Sequence, residues 1–146
     1  MEDELLPSLL CTALMRIGTR MASIFDQNFS RFGLTQAQFR VLLAVWESGE
    51  NGIAPSALAD QLLIERATVS VLTTRLVERG WLTRRPGENR RTFLLVLTAS
   101  GKARLQEALP HAVTLADETM AGFHREALQG TLALLKQLEA HLRGGE

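Results

Sequence analysis

Ser70, Val71, Thr74 and Arg75 place two hydroxyls, a branched apolar group and a guanidinium within six positions of one another. Around a helix, at about 100° per residue, they share a side with Ala67 and Glu78, while Val69, Leu72, Thr73, Leu76 and Gly80 gather opposite. The second side wants a core. The first carries groups that can pair with base edges and phosphates and methyls that can meet thymine, the chemistry of a helix lying in a major groove of double-stranded DNA. Arg66 and Thr68 stand beside the turn that enters this stretch.

A second concentration of chemistry follows directly. Arg75, Arg79, Arg84, Arg85, Arg90, Arg91, Lys102 and Arg104 are half of the sixteen basic residues, and only Glu78 and Glu88 lie among them. The formal net charge of zero therefore conceals a basic patch, and a phosphate backbone would feel the patch rather than the total. Other chemistries find little support. There is no Ser-His-Asp order and no glycine-rich phosphate loop, and His111, His124 and His141 have neither metal-ligand spacing nor a carboxylate cluster. The expectation is no enzyme, no catalytic residue, no metal and no cofactor. With one cysteine, Cys11, no intramolecular disulfide can form, and without an apolar run of spanning length or a signal-peptide pattern no membrane association is expected. A cytoplasmic location fits both.

The elements that must position these groups read as mainly α with a small β-hairpin. Leu6, Leu10, Ala13, Ile17, Met21, Ile24 and Asn28 recur at spacings of three and four, a long helix from about residue 5 to 31, and Leu9, Leu14, Phe25, Phe29 and Phe32 widen its apolar surface beyond one stripe. Gly33 ends it. Thr35 and Gln38 form a capping-box pattern opening a second helix with Phe39, Leu42, Leu43 and Trp46 as its core face. After the polar break from Ser48 to Gly52, Pro55 suits the first turn of a third helix that buries Leu58, Ala59 and Leu62. That helix and the one opening at Glu65 make a helix-turn-helix, with Ala54 and Glu65 as weak N-caps. Beyond Gly80-Trp81 the period changes. Residues 82–85, the turn Pro86-Gly87-Glu88-Asn89 and Thr92 to Leu97 read as a hairpin with Arg90 and Arg91 at its tip. A helix-turn-helix followed by such a hairpin is a winged helix, its tip arginines suited to a minor groove and Arg84 and Arg85 to the backbone. Thr98 caps a further helix lined by Leu105, Ala108, Leu109, Ala112, Leu115, Ala116 and Met120, with a kink expected at Pro110. Phe123 to Leu142 supplies the last helix through Leu128, Leu132, Leu135, Leu138 and Leu142, and Gly144-Gly145 reads as an unstructured tail.

Over nearly its whole length the chain resembles the MarR family of bacterial transcriptional regulators. GLTQAQFRVLLAVWESG is similar to that family's second helix, PSALADQLLIERATVSVLTTRLVERGWLTRR to its helix-turn-helix, and ENRRTFLLVLTASGKA to its wing and return helix. The most specific parts are the LVERGWL turn and the spacing from Arg90-Arg91 through Leu97-Thr98 to Gly101. The resemblance implies a winged helix-turn-helix at 34–98 and a helical dimerisation arm at 1–33 and 99–146, together one MarR-type domain. It also implies a homodimer that reads a near-palindromic operator, more often as a repressor. The family's wing carries Asp-x-Arg, whose acid orients the minor-groove arginine. Here Asn89 stands in the acid's place before Arg91, so the guanidinium is expected to be held through an amide carbonyl and less rigidly aimed, leaving Arg90 for phosphate.

The resemblance further implies release from DNA by a small aromatic or amphipathic ligand in a cleft between arm and winged helix, with Arg16, Met21, Trp46 and His111 as lining residues. Two alternatives stand beside that reading. The segment Leu10-Cys11-Thr12-Ala13-Leu14 resembles the sensing helix of the organic-hydroperoxide branch, in which a cysteine thiolate is oxidised and DNA is released. That branch pairs its thiolate with tyrosines, however; this chain has none, and Phe39 occupies a position where the branch commonly has one. By default, a cysteine flanked by leucines on an apolar helix is a small buried hydrophobe. The other alternative is a winged-helix module that binds protein rather than DNA.

Overall fold

A computed structural model describes residues 2–143. The elements are α1 (Glu2–Phe29), a short 3-10 turn (Ser30–Phe32), α2 (Gln36–Glu47), α3 (Pro55–Leu62), α4 (Arg66–Glu78), β1 (Leu82–Pro86), β2 (Phe93–Leu97), α5 (Ala99–Met120) and α6 (Arg125–Arg143). Mainly helical, with one antiparallel hairpin pairing Leu82 with Leu97 and Pro86 with Phe93, it is a winged helix-turn-helix carried on long terminal helices. The Gly144-Gly145 tail lies outside the described residues.

Local chemistry sets most of the boundaries. Gly33 closes the 3-10 turn at φ 71°, a left-handed conformation that glycine adopts without a Cβ penalty. The capping box at Thr35 is complete: its hydroxyl accepts from the Gln38 amide at 3.1 Å, and the Gln38 side chain accepts from the Thr35 amide at 3.0 Å. Pro55 opens α3 behind Ala54, and Glu65 precedes α4, neither providing a side-chain cap. Thr98 caps α5 through the Gly101 amide at 3.0 Å, and its hydroxyl also donates to the Gly80 carbonyl at 2.6 Å. A Cβ on Gly101 would collide with the Trp81 carbonyl, so the LVERGWL turn and the Leu97-Thr98 to Gly101 segment are two halves of one clasp. The helix α5 continues through Pro110.

The core lies under the helix-turn-helix. Val41, Leu42, Leu58, Leu76 and Leu95 are fully buried, with Phe29 and Phe32 from the N-terminal side and Leu105 and Ala108 from α5 completing it beyond residues 34–98. Two expectations change. Trp46, expected on the core face of α2, comes in the last turn and is 41% exposed, because that face centres on Val41, Leu42 and Val45. The break after α2 is also more than a loop, because Ile53 exchanges two backbone hydrogen bonds with Leu95 at 3.1 and 2.9 Å and so adds a short bridge to the wing. Gly52 permits it, since at φ +77° a Cβ there would stand 2.7 Å from the Leu95 carbonyl.

The terminal helices are different. Among the described side chains of α1 only Phe29 is buried, and α6 has no buried residue. Leucines and isoleucine along both, among them Leu6, Leu9, Ile17, Leu132, Leu134 and Leu142, remain exposed.

Candidate nucleic-acid interface

The helix α4 divides as its sequence divides. Val69, Thr73 and Leu76 are buried, and the Thr73 hydroxyl is satisfied by the Val69 carbonyl at 2.8 Å, so this hydroxyl serves the fold. On the other side Arg66, Ala67, Thr68, Ser70, Val71 and Arg75 are exposed and Thr74 is half-buried. Val71 is 55% exposed, a large apolar side chain held in water. Because Glu65 does not cap, the first amides of α4 remain open at the entering turn.

The wing is tied to this helix. The Arg84 guanidinium donates to the Thr74 hydroxyl at 3.1 Å and lies over the Phe93 ring at 5.2 Å, so strand β1 braces α4 directly. Arg85 donates to the Glu50 carbonyl at 2.8 Å, fixing the wing to the loop before α3. At the tip, Asn89 does something other than expected. Its side-chain carbonyl accepts from the Arg91 backbone amide at 2.9 Å, an Asx turn, rather than holding the Arg91 guanidinium. A side chain two residues away reaches the near amide more readily than the far end of a long arginine. Arg90 and Arg91 are both exposed, and neither guanidinium has a partner among the described residues.

Part of the basic patch belongs to the fold instead. Arg79 and Arg104 lie over the Trp81 ring at 4.6 and 5.2 Å, Arg79 also donates to the Gly33 carbonyl, and Arg104 pairs with Glu107 at 3.7 Å. Guanidinium on indole is a favourable stack, and these two cations are spent on the clasp between α4 and α5. What remains free for an anion is concentrated on α4 and the wing tip.

Between α1 and α2 lies a cavity of about 370 Å³. Its apolar wall is Met21, Ala22, Phe25, Phe29 and Phe39, with Phe29 stacked on Phe39 at 4.6 Å, while Gln36 and Arg40 supply polar groups. Met21 lines it; Arg16, Trp46 and His111 do not, and His111 instead packs its ring 5.0 Å from Phe32. Sequence reasoning passed over Arg40, although a single cation inside the apolar run Phe39 to Val45 was a visible signal. Cys11, expected by default to be buried, is exposed on α1, because no described element of this chain covers that helix there. Among the described residues no His, Cys, Asp and Glu cluster could hold a metal, and no helix is long and apolar enough to cross a membrane.

A helix-turn-helix whose second helix shows small polar groups, braced to an arginine-tipped hairpin, defines a winged helix-turn-helix DNA-binding protein. The model of the MarR family matches residues 32–92. An uncharacterized HTH-type transcriptional regulator of Bacillus cereus is 30% identical over 110 residues, covering 75% of this chain and 72% of its own. The HTH-type transcriptional repressor YetL of Bacillus subtilis is 29% identical over 102 residues, which are 69% of this chain and 61% of YetL. Among solved structures, BpsR of Bordetella bronchiseptica, whose DNA binding is regulated by 6-hydroxynicotinic acid, is 29% identical with a TM-score of 0.77, covering 88% of this chain and 92% of its own. A MarR family regulator from Rhodococcus matches at a TM-score of 0.82 over 92% of this chain and 94% of its own, at 19% identity. The chain belongs to the MarR family and is a DNA-binding transcriptional regulator, a family of regulators rather than enzymes.

Proposed function

We propose that this regulator is a homodimeric repressor that reads a near-palindromic operator, with α4 in the major groove, the wing tip in the minor groove and a small amphipathic or aromatic ligand releasing it. The observation that carries the reading is the α4 surface: Ser70, Val71 and Arg75 stand exposed while Arg84 fixes the helix through Thr74. Rigid mounting of a polar, methyl-bearing face is what base readout requires, and open guanidinia at Arg90 and Arg91 suit a narrow groove or phosphate. Arg66 and Thr68 stand nearest the backbone at the entering turn, and Asn89 shapes the tip that presents Arg91. Arg85, already held by Glu50, serves by fixing the wing's angle. Exposed leucines on α1 and α6 support the dimer, and a two-fold axis would set the reading helices roughly 34 Å apart. Repression accords with the role YetL's name gives that relative, and ligand release with the regulation of BpsR and the cavity beside Phe39.

Salt provides the test. Duplex affinity is expected to fall steeply as salt rises, and Arg91→Ala to weaken binding by about 1–3 kcal/mol at every salt concentration. Unchanged affinity for Arg91→Ala across the series would remove the wing from the interface, and a flat salt dependence would favour a protein partner.

A further inference from the structure

Leu62 ends α3, and its carbonyl is one of those a helix C-terminus leaves without an intrahelical partner. The Arg40 guanidinium takes it at 3.1 Å. From α6, Arg143 donates to the preceding carbonyls of Asp60 and Gln61 at 2.9 and 3.0 Å, so arginines from outside the helix-turn-helix hold the last turn of α3. The next residue, Leu63, stands at φ 54°, the sole non-glycine at positive φ among the described residues. A side chain in the left-handed region is strained and persists where its surroundings hold it. The direction in which α4 leaves this turn therefore depends on what grips α3.

Arg40 has a second side. It is the ionisable residue lining the cavity between α1 and α2, and among the described residues it has no carboxylate partner. An anion seated against Phe25, Phe29 and Phe39 would offer Arg40 a two-bond, ion-to-ion fork, which outcompetes one bond to a neutral carbonyl. The geometry points to Arg40 as a latch: with the cavity empty it holds Leu62 and the turn into α4, and an anionic occupant draws it away and loosens α4 on DNA. This rests on the proposed ligand cavity and names the residue through which that cavity would speak to the reading head. The occupant it selects is an apolar ring system bearing one carboxylate, and a neutral isostere would fill the same space without drawing the latch.

The test uses the full-length protein, an operator duplex, 2-naphthoate and its neutral isostere 2-naphthamide. Naphthoate is expected to lower operator affinity about five- to tenfold, within the range of typical allosteric couplings, and naphthamide to bind while leaving affinity nearly unchanged. Arg40→Met, a change at an exposed position, is expected to show the same loss without ligand and no further loss with naphthoate, its salt slope equal to wild type because no phosphate contact is removed. Equal effects of the two probes, or an Arg40→Met protein that binds operator as wild type does, overturns the latch alone. A salt slope lower by about one for Arg40→Met would make it a phosphate contact, which also overturns it. If neither probe binds, the cavity reading itself falls and the latch with it.

Discussion

The lobe from α2 to β2 and the pair α1 and α6 are made of the same apolar residue types, yet the lobe hides them and the helices do not. Leu42, Leu58, Leu76 and Leu95 are 0% exposed, whereas Leu9 is 54%, Leu132 54% and Leu142 59% exposed. Within the lobe, helices cross one another at short range and a hairpin closes the side, so each apolar face finds a partner in the same chain. Among the described residues most of the apolar length of the terminal helices meets no such partner, and apolar surface of that extent is what a contact with another molecule would cover. One chain thus supplies a complete reading head and, on our proposal, half of a mount.

That contrast can be broken or sharpened by mutation. The largest expected effect is Leu42→Ala, which should lower stability by about 2–5 kcal/mol in urea titration because the fully packed site cannot collapse around the lost atoms. Next comes Leu132→Glu with Leu138→Glu. On the dimer reading it should weaken self-association at least a hundredfold, about 2.7 kcal/mol, as sedimentation would show, with operator binding lost in parallel. If the doubly charged protein remains a dimer, α6 is not the mount. The smallest effect is expected at Cys11→Ser, which should leave operator affinity unchanged before and after hydroperoxide treatment. A loss in the treated wild type that the serine variant escapes would restore the redox reading, for which the exposed thiol is accessible on this chain.

What the sequence disclosed and what it withheld divide along range. The Thr35-Gln38 capping box, Gly33 and Thr98 were legible because each is satisfied within a few residues of chain. The two faces of α4 were legible for the same reason, through helical periodicity. The Ile53 bridge to Leu95, the stacking of Arg104 on Trp81 and the reach of Arg40 to Leu62 join residues far apart in sequence, and no local pattern encodes them. Trp46 shows the limit of periodicity, since a wheel gives the side a residue faces but not whether a neighbour extends to the helix end. At the wing, Asn89 had the carbonyl that was anticipated, but a competing amide two residues away took it. Charge counting erred likewise, because cations stacked on indole and cations free for phosphate look identical in composition.

On our proposal, two copies of this chain read DNA as a pair. Selecting bound fragments from random duplex DNA with the purified protein tests it most directly. The expected result is enrichment of an inverted repeat with half-site centres about one helical turn, roughly 10 base pairs, apart. Enrichment of a single asymmetric motif, or none above the input pool, would contradict it.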